Sequence, residues 1–569
     1  MFVVFEGIDG SGKTTVSNLV VQRLQDRGLS VKHLRAEGKF VSSVSEAIRS
    51  LARDSRNVDL DPRSEFLLYV ARDVQLIEEA LREALRTHDV VLADRFLYTA
   101  EVLGRYGRGL PMEYTKPILE AAAGGLSPDL VVLIDVDPVL ARARRKSSKL
   151  ITKDTRPPSR KGLAGVGLQH RVRRGYLERA AEEPERWFVA TNEDVLEDTV
   201  SRVSNLIELA TAQGARVALD KARREVAAAK KPATTQAMES ADEALLALEQ
   251  WVTARADREP HVAAYLLDEL FGARIDGLRR TLAERAPTVV LAGLKGLTDE
   301  VSWELRERLV EKHPAAVALS LRGVPGDDPR VRLLEQRLES RSPVELALAL
   351  VQRDDELAWD LRDRLYEAYP DPVIESLAGV RSERALALRT RWFEAHRRQV
   401  SESYTRALSA ARSVESIDDA LAWEIREAAR TAAPIASLGS LGELSCDRSF
   451  EVRERALRRA TKVVMQTLRN LRDDRAYRMR WEVAGEVKEA IDSIDALDDE
   501  QAWSLRETYQ DVWPSTVLKT LGALVETSRG EALLRRQLAK HPHNVSLLKH
   551  AAAYALGTHR AGAGLELSA

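Results

Sequence analysis

The first residues able to do chemistry lie near the amino terminus, between an apolar run and an amphipathic stretch. Their order fits the phosphate-binding loop, in which two glycines frame four residues and a lysine and a hydroxyl residue follow. Main-chain N–H groups and the start of a helix then face a phosphate, and the lysine neutralises phosphate oxygens. We predict that this loop binds ATP with Mg²⁺, and that Thr14 is a metal ligand. The predicted nucleotide-binding residues are Gly7, Asp9, Gly10, Ser11, Gly12, Lys13, Thr14 and Thr15.

An acid and a base stand together where another apolar run ends. Residues 90–93 are followed by Asp94 and Arg95. Next to a phosphate-binding loop, an acid at the tip of a neighbouring strand faces the Mg²⁺ shell, and an adjacent arginine can reach the transferred phosphoryl group. In other contexts such a pair is more often a surface ion pair. The loop favours the first interpretation, with Asp94 as a metal ligand and Arg95 on the phosphoryl group.

The segment between Arg142 and Arg174 is strongly basic. Twelve of its residues are Arg or Lys, and one, Asp154, is acidic. Cations that close over a triphosphate stabilise its charge and expel water, so the segment predicts a mobile lid. A solvated basic loop or a nucleic-acid patch are the alternatives that the sequence leaves open. The predicted lid residues are Arg142, Arg144, Arg145 and Arg171.

Two kinds of element must position these residues. Up to about residue 210, five short β-rich apolar runs alternate with helical stretches, which predicts an α/β fold: a parallel sheet with helices on both faces. The runs are residues 2–5, 31–34, 90–93, 131–136 and 187–190. Beyond about residue 245 strand signals vanish and a repeat appears.

The repeat has an aspartate, a tryptophan four residues later, an arginine three after the tryptophan and a proline eleven after it. Four places carry all of these: Asp299/Trp303/Arg306/Pro314, Asp355/Trp359/Arg362/Pro370, Asp419/Trp423/Arg426/Pro434 and Asp499/Trp503/Arg506/Pro514. In weaker copies of the repeat, the tryptophan position holds Val331, Leu386, Phe450, Tyr477 and Ala532. From Trp303 onward, the successive tryptophan positions of all copies are 28, 28, 27, 37, 27, 27, 26 and 29 residues apart. A period of this size predicts an all-α helical-repeat domain, an α-solenoid.

The chemistry of one repeat follows from its residue types. The aspartate should cap a first helix, and the proline should open a second. The tryptophan should anchor the core, and the arginine should pair with acids of adjacent repeats, such as the capping aspartates. The longest interval, around residues 401–404, predicts a longer loop or an extended helix. The pattern resembles short HEAT-like repeats.

Composition limits the class of protein. A chain of 569 residues is too long for one compact core. Its 86 basic and 88 acidic side chains nearly cancel, so no overall electrostatic field favours nucleic acid or a membrane, although a local patch for nucleic acid is still an alternative. Cys446 is the only cysteine, and no apolar run is long enough to span a bilayer, so we expect a cytoplasmic protein with no membrane partner. We predict a nucleotide-binding domain over residues 1–210, a charged helical linker over 211–244 and the repeat domain over 245–560.

Residues 1–205 resemble thymidylate kinases, a family of P-loop nucleoside monophosphate kinases. Five blocks carry the resemblance: Phe5–Thr15, Tyr69–Arg72, Asp94–Phe96, Pro128–Pro138 and Arg171–Leu177. The resemblance implies a nucleoside monophosphate kinase-like sheet and assigns catalysis to Lys13, Asp9 and Arg95. It places Arg95 on the acceptor phosphate, Arg72 on a base carbonyl and Asp9 near the sugar and metal. It further implies ATP as phosphoryl donor, Mg²⁺, and a homodimer through the core domain.

The departures from the family lie where thymine would sit. The family's stacking Phe is Leu68 here, which loses an aromatic contribution of about 0.5 to 1.5 kcal/mol. Beyond Arg95, the residues that read the base and the deoxysugar are replaced. The predicted substrate-binding set is Leu68, Arg72, Arg95, Thr99, Ala100 and Leu103.

Two functions follow from these expectations. The first is a nucleoside monophosphate kinase that transfers the ATP γ-phosphoryl group to a deoxynucleoside monophosphate, with dTMP the first choice. The second is a regulatory P-loop NTPase, in which the kinase-like domain senses nucleotide and the repeats bind a protein or nucleic-acid partner. The second is motivated by a repeat region longer than the kinase domain, because solenoids offer extended binding surfaces.

Overall fold

The computed structural model of the protein describes residues 1–35, 39–57, 59–152, 165–193, 195–229, 238–495 and 497–558. Two compact units make up the chain. The first comprises residues 1–145 and 157–234, and the second comprises residues 146–156 and 235–569. The division into 1–210, 211–244 and 245–560 stays a prediction.

A five-stranded parallel sheet forms the centre of the first unit, with strand order β2-β3-β1-β4-β5. The sheet confirms the five predicted strands. Their bounds are β1 (Phe2–Glu6), β2 (Val31–His33), β3 (Val90–Asp94), β4 (Leu130–Asp135) and β5 (Trp187–Thr191). The carboxyl ends of parallel strands meet at one edge of a sheet, which is where ligands bind in such folds. Polar side chains therefore gather at that edge, among them Glu6 and Asp94.

In the described residues, ten helices of this unit pack on the sheet or on one another. They are α1 (Lys13–Asp26), α2 (Ser43–Arg53), α3 (Pro62–Leu76), α4 (Arg82–Thr87), α5 (Leu97–Val102), α6 (Met112–Ala123), α7 (Pro138–Thr152), α8 (Gly165–Glu182), α9 (Leu196–Gln213) and α10 (Ala215–Ala229). Residues 146–152 end α7, which begins in this unit, but they belong to the second unit. One turn of π-helix over Ile77–Leu81 joins α3 to α4, and another over Leu103–Gly107 follows α5. Helix α10 packs against α9, and its Ala218 and Leu219 belong to the core around the sheet.

Within the described residues, the second unit consists of eleven helical hairpins, which confirms the all-α prediction. Their helices, two per hairpin, are α11 (Ala241–Arg255), α12 (Pro260–Leu266), α13 (Ala273–Arg285), α14 (Pro287–Ala292), α15 (Glu300–Leu309), α16 (Pro314–Ser320), α17 (Pro329–Leu338), α18 (Pro343–Ala349), α19 (Glu356–Tyr366), α20 (Pro370–Glu375), α21 (Glu383–Glu402), α22 (Tyr404–Ser413), α23 (Ala420–Arg430), α24 (Pro434–Gly439), α25 (Asp447–Ala456), α26 (Thr461–Thr467), α27 (Asp474–Val483), α28 (Glu489–Asp492), α29 (Glu500–Tyr509), α30 (Pro514–Lys519), α31 (Ser528–Lys540) and α32 (Val545–Ala555). The long interval in the repeat is an extended helix, α21.

The capping residues of the four complete repeats take the predicted roles. Asp299 accepts a hydrogen bond from the amide of Ser302 at the start of α15, and Pro314 is the first residue of α16. The same arrangement recurs at the other three complete copies. Trp303, Trp359 and Trp503 are buried, which confirms that they belong to the core, whereas Trp423 is only half-buried.

Among the described residues, the arginines of the complete repeats do not make the predicted pairs with acids. Arg362 is fully buried, and it donates from Nη2 to the carbonyl oxygens of Leu350 (2.8 Å) and Ser376 (3.2 Å) and from Nε to the Ser376 hydroxyl (2.9 Å). Arg306 and Arg426 bind the corresponding groups, which are a serine of their own hairpin and a carbonyl at the end of the preceding hairpin. The prediction was wrong because the carbonyls that end a helix lack partners within it and carry partial negative charge, so they compete for a buried guanidinium.

The hairpin array closes on itself. The second helices of successive hairpins pack against one another from α12 to α32, and the last helix, α32, packs against the first, α11. Side chains also meet across this closure, since Gly272, which precedes α13, lies beside Leu556, which ends α32. Every hairpin in the described part of the chain therefore has a neighbour on both sides.

Among the described residues, no helix combines the length and the apolar character that crossing a membrane would need.

Replacing a repeated arginine should weaken the array strongly. In Arg362→Met the side chain keeps its length but leaves the buried Ser376 carbonyl without a donor, which costs about 1 to 3 kcal/mol. It also removes the hydrogen bonds to the Ser376 hydroxyl and to the Leu350 carbonyl, which keeps the Arg353 amide as a donor, at about 0.5 to 1.5 kcal/mol each. We expect the free energy of unfolding to fall by about 2 to 5 kcal/mol in urea titrations followed by circular dichroism. Arg398→Met, at a residue 88% exposed, is the matched control and should change it by less than about 0.5 kcal/mol. Equal effects of the two substitutions would contradict the capping role.

Candidate active site

A glycine-rich loop joins β1 to α1 at the carboxyl edge of the sheet. Gly10 and Gly12 have φ angles of +92° and +86°, which side-chain-bearing residues rarely adopt. A Cβ on Gly10 would clash with the Ala141 carbonyl oxygen, and a Cβ on Gly12 would stand 2.5 Å from Nδ2 of Asn192. That amide nitrogen also donates to the Ser11 carbonyl oxygen (2.7 Å) and so holds the loop in place. The loop thus presents its main chain to a ligand at the start of α1.

Asp94 and Thr14 form a pair of oxygen donors beside the loop. The Thr14 hydroxyl donates to Oδ2 of Asp94 (2.6 Å), and Arg35 lies 3.4 Å from the same oxygen. Burial opposes the charge of Asp94, but Lys13, Arg35 and Arg95 outweigh it and lower the pKa of Asp94. Within the described residues, its buried Oδ1 has no hydrogen-bond partner. Two hard oxygen donors, one of them unsatisfied, suit Mg²⁺.

Lys13 is buried beside Asp94 and Thr14, and its ammonium group makes no hydrogen bond to a carboxylate among the described residues. Its Nζ donates to the Ile8 carbonyl oxygen (3.3 Å) and lies 4.0 Å from Oδ1 of Asp9. Burial and the charge of Arg95 lower the pKa of Lys13 from 10.5 to about 7. An anion placed next to it would restore the ammonium form, so this position favours a phosphate.

Arg95 links the loop to a neighbouring recess. Its backbone has a φ of +80°, an uncommon and strained value for a residue other than glycine. The guanidinium donates to Asp9 Oδ1 (2.5 Å), to the Thr99 hydroxyl (3.2 Å) and to the Tyr176 hydroxyl (3.3 Å). Burial opposes its charge, but Asp9, Tyr176 and Glu6 outweigh it and raise the pKa of Arg95. Arg95 is therefore a fixed cation in contact with both regions.

The recess is narrow and partly open to solvent. Of the predicted substrate residues, Arg95, Thr99 and Leu103 line it, together with Asp9 from the loop. Its lining residues are Gly7, Ile8, Asp9, Arg95, Thr99, Leu103, Leu168, Gln169, Val172 and Tyr176. The recess therefore places apolar walls next to a fixed cation.

Arg72 belongs to a second group on α3. Its guanidinium donates from Nε and Nη2 to the two carboxylate oxygens of Asp73, each at 2.7 Å, and both residues are buried. The rings of Phe40 and Tyr69 lie 5.3 and 5.0 Å from its central carbon. Leu68 is half-buried. Two of the donors of Arg72 are thus already engaged by its neighbour in sequence.

The predicted lid residues separate in the structure. Arg144 donates to the Asn192 carbonyl oxygen (2.8 Å), and Cδ of Arg145 would be 3.0 Å from a Cβ on Gly10. These two side chains therefore lie beside the phosphate-binding loop, on α7 with the half-buried Arg142. Arg171 instead donates to the carbonyl oxygens of Tyr106 and Gly107, both at 3.2 Å. Residues 153–164 of the predicted lid lie outside the described residues.

Sequence reasoning assigned no role to several residues of this site. Glu6 is fully buried at the end of β1 and accepts hydrogen bonds from the Thr99 hydroxyl (2.7 Å), the Tyr176 hydroxyl (2.8 Å) and the Phe96 amide (3.0 Å). Phe40 was also missed. An acid directly before the first glycine of the loop was the available signal for Glu6, whereas Phe40 sits in a connection without any pattern.

The sheet, the glycine-rich loop and the Asp94-Arg95 pair define a P-loop phosphotransferase domain. A sequence profile described as thymidylate kinase matches residues 5–203. The chain is 38% identical over 213 residues to a thymidylate kinase of Desulfovibrio desulfuricans, covering 37% of this chain and 95% of that protein. It is 39% identical over 178 residues to one of Finegoldia magna, covering 31% of this chain and 83% of that protein.

A solved structure of thymidylate kinase from Ehrlichia chaffeensis is 25% identical, with a TM-score of 0.29, and the match covers 37% of this chain and 98% of that one. On the sequence matches, the chain belongs to the thymidylate kinase family, through a phosphotransferase domain in its amino-terminal third. The helical hairpins lie beyond the matched residues.

Binding of ATP should take up a proton through Lys13. Its pKa in the free protein is about 7, below the ordinary 10.5, so near pH 8.5 the free side chain is mostly neutral. A bound phosphate favours the ammonium form, so we expect uptake approaching about one proton per ATP there, falling toward zero below about pH 6. Calorimetry in two buffers with different ionisation enthalpies measures this uptake.

The exposed Lys116 provides the control for that measurement. Lys116→Ala should leave proton uptake unchanged. Uptake that did not vary between these pH values in the wild-type protein would contradict the assignment of Lys13 to the phosphates.

Proposed function

We propose that the amino-terminal domain transfers the γ-phosphoryl group of ATP to a deoxynucleoside monophosphate, and that dTMP is the preferred acceptor. The observation that carries this proposal is the position of Arg95. Its guanidinium contacts Asp9 of the phosphate-binding loop and Thr99 of the recess, so one cation can bind both the donor's terminal phosphoryl group and an acceptor phosphate. Phosphoryl transfer depends mainly on positioning and on charge stabilisation, which this arrangement supplies.

The donor would bind through the loop. Main-chain amides of residues 10–14 and the ammonium group of Lys13 would hold the β- and γ-phosphates. Arg144 and Arg145, beside the loop, are placed to add positive charge over them. Thr14 and Asp94 would hold Mg²⁺, which, when bound, neutralises phosphate oxygens.

The acceptor would place its phosphate at Arg95 and its nucleoside in the recess. Apolar walls such as Leu103 suit a base and a deoxysugar better than a charged metabolite. The similar proteins of Desulfovibrio desulfuricans and Finegoldia magna add support, since both are thymidylate kinases. Leu68 and Arg72 would contact the edge of the base. The rings of Tyr69 and Phe40 lie 5.0 and 5.3 Å from the guanidinium carbon of Arg72.

A panel of monophosphates tests the proposal. The full-length protein is incubated with MgATP and dTMP, dUMP, dCMP, dGMP or UMP, and ADP is measured by a coupled assay. We expect acceptor-dependent ADP production with the highest kcat/KM for dTMP, and none from Lys13→Ala. ADP production that needs no monophosphate would overturn the proposal and favour the regulatory NTPase.

Restoring an aromatic ring at position 68 should improve acceptor binding. In Leu68→Phe, stacking on a base adds about 0.5 to 1.5 kcal/mol, so the KM for dTMP should fall about two- to tenfold while the KM for ATP stays constant. Leu67→Phe is the matched control, because the neighbouring side chain is 44% exposed and points away from the core. An unchanged KM for dTMP in Leu68→Phe would show that this residue does not meet the base.

One observation supports a further role for the second unit. The closed array of eleven hairpins is larger than the domain that carries the site, and helical-repeat arrays offer extended binding surfaces. A protein or nucleic-acid partner of this array, the homodimer through the kinase domain, the HEAT-like repeat type and the cytoplasmic location all stay predictions.

A further inference from the structure

Glu6 stands behind the residues that would touch the substrates. It is a fully buried carboxylate at the end of β1, and three donors reach it: two hydroxyl groups and one main-chain amide. Its Oε2 is also 3.8 Å from Nη1 of Arg95, too far for a hydrogen bond. Glu6 therefore acts on Arg95 mainly through other groups.

The two hydroxyl groups are the connection. Nη1 of Arg95 donates to the Thr99 hydroxyl (3.2 Å) and to the Tyr176 hydroxyl (3.3 Å). The same two oxygens lie 2.7 and 2.8 Å from Oε2 of Glu6. Each hydroxyl thus lies between the guanidinium and the carboxylate.

The charge of Glu6 fixes the direction of both hydrogen bonds. A guanidinium only donates and an ionised carboxylate only accepts, whereas a hydroxyl has one proton to give. The two hydroxyl oxygens also lie 3.1 Å from each other, but their contacts with the Glu6 carboxylate, at 2.7 and 2.8 Å, are shorter and charge-assisted. Both hydroxyl protons therefore point at Glu6, and the oxygen lone pairs of Thr99 and Tyr176 face Arg95. Burial and the negative charge of Glu6 raise the pKa of Tyr176 well above its ordinary value, so the phenol keeps its proton.

We propose that Glu6 is a positioning residue, which orients the Arg95 guanidinium for the acceptor phosphate by way of the Thr99 and Tyr176 hydroxyls. The inference rests on the proposed kinase function and adds to it a residue that does not itself touch substrate. It also gives Thr99 a role other than contact with a base. The positioning role follows from the shared partners, since two of the three donors to Glu6 also accept from Arg95.

The test replaces Glu6 by glutamine in the full-length protein. The amide in Glu6→Gln has nearly the same shape but cannot keep both hydroxyls as donors with the same strength. Because small misplacements of a catalytic group cost up to about a hundredfold in rate, we expect kcat/KM for dTMP to fall about ten- to a hundredfold. The KM for MgATP should stay within about twofold, since the loop contacts are unchanged.

Glu335→Gln is the matched control. Glu335 of the second unit is also a largely buried acid, paired with Arg353 (2.6 Å), and its substitution should leave kcat/KM for dTMP unchanged. Thr99→Val and Tyr176→Phe provide a second route if Glu6→Gln does not fold. Each should lower kcat/KM for dTMP without changing the KM for MgATP. Thr99→Ser keeps the hydroxyl, so its kcat/KM for dTMP should be close to that of the wild-type protein.

Coupling between the substitutions separates a positioning role from a structural one. If the relay is as described, the Thr99→Val penalty should largely disappear in the Glu6→Gln background, because the orienting charge is already gone. Additive penalties, or wild-type kcat/KM in Glu6→Gln, would overturn the positioning role while leaving the kinase function intact. A wild-type protein without acceptor-dependent ADP production would instead overturn both.

Discussion

Every helix leaves main-chain groups unpaired at its two ends, and this constraint governs both units of the protein. The first N–H groups of α1 have no partner within the helix, and Gly10 and Gly12 give the preceding loop its left-handed backbone angles, so an anion can approach. In the hairpin array, the carbonyl groups at the carboxyl ends of the short helices have hydrogen-bond partners. Buried guanidinium groups such as Arg362 donate to the final carbonyls of the short helices. One unit therefore exposes its unpaired groups to a ligand, and the other satisfies them internally.

Much of the fold was accessible from sequence because local rules decide it. Strand composition placed β1 to β5, and the capping Asp299 and Pro314 marked where helices of a hairpin begin. The partners of Arg306 were not accessible, because the carbonyls it binds carry no side-chain signal. The left-handed residues after several short helices are Gln352, Ser416 and Asn470, so glycine does not mark those turns consistently. The length of the sequence repeat alone did not indicate that α32 packs against α11.

The residues of the candidate site also fall into those that the sequence predicted and those that it did not. The phosphate-binding loop and the Asp94-Arg95 pair are contiguous in sequence, and the structure brings them together as expected. Glu6 was missed because its meaning depends on Tyr176, which lies 170 residues away in the chain. Arg72 was expected to face a base, yet its engagement by Asp73 is visible only once α3 has formed. Contacts across the sheet edge, not motifs, decide how each cation is oriented.

Closure of the hairpin array removes a difficulty that linear arrays face. Open stacks expose an apolar face at each extremity and need specialised terminal units to shield it. Here α11 and α32 shield each other, so neither extremity is left to fray. Loss of one hairpin cannot simply shorten the array, because the remaining ones would have to change curvature to meet again. The number of hairpins is therefore constrained by geometry, and whole-hairpin insertions or deletions should be tolerated far less than changes within the turns.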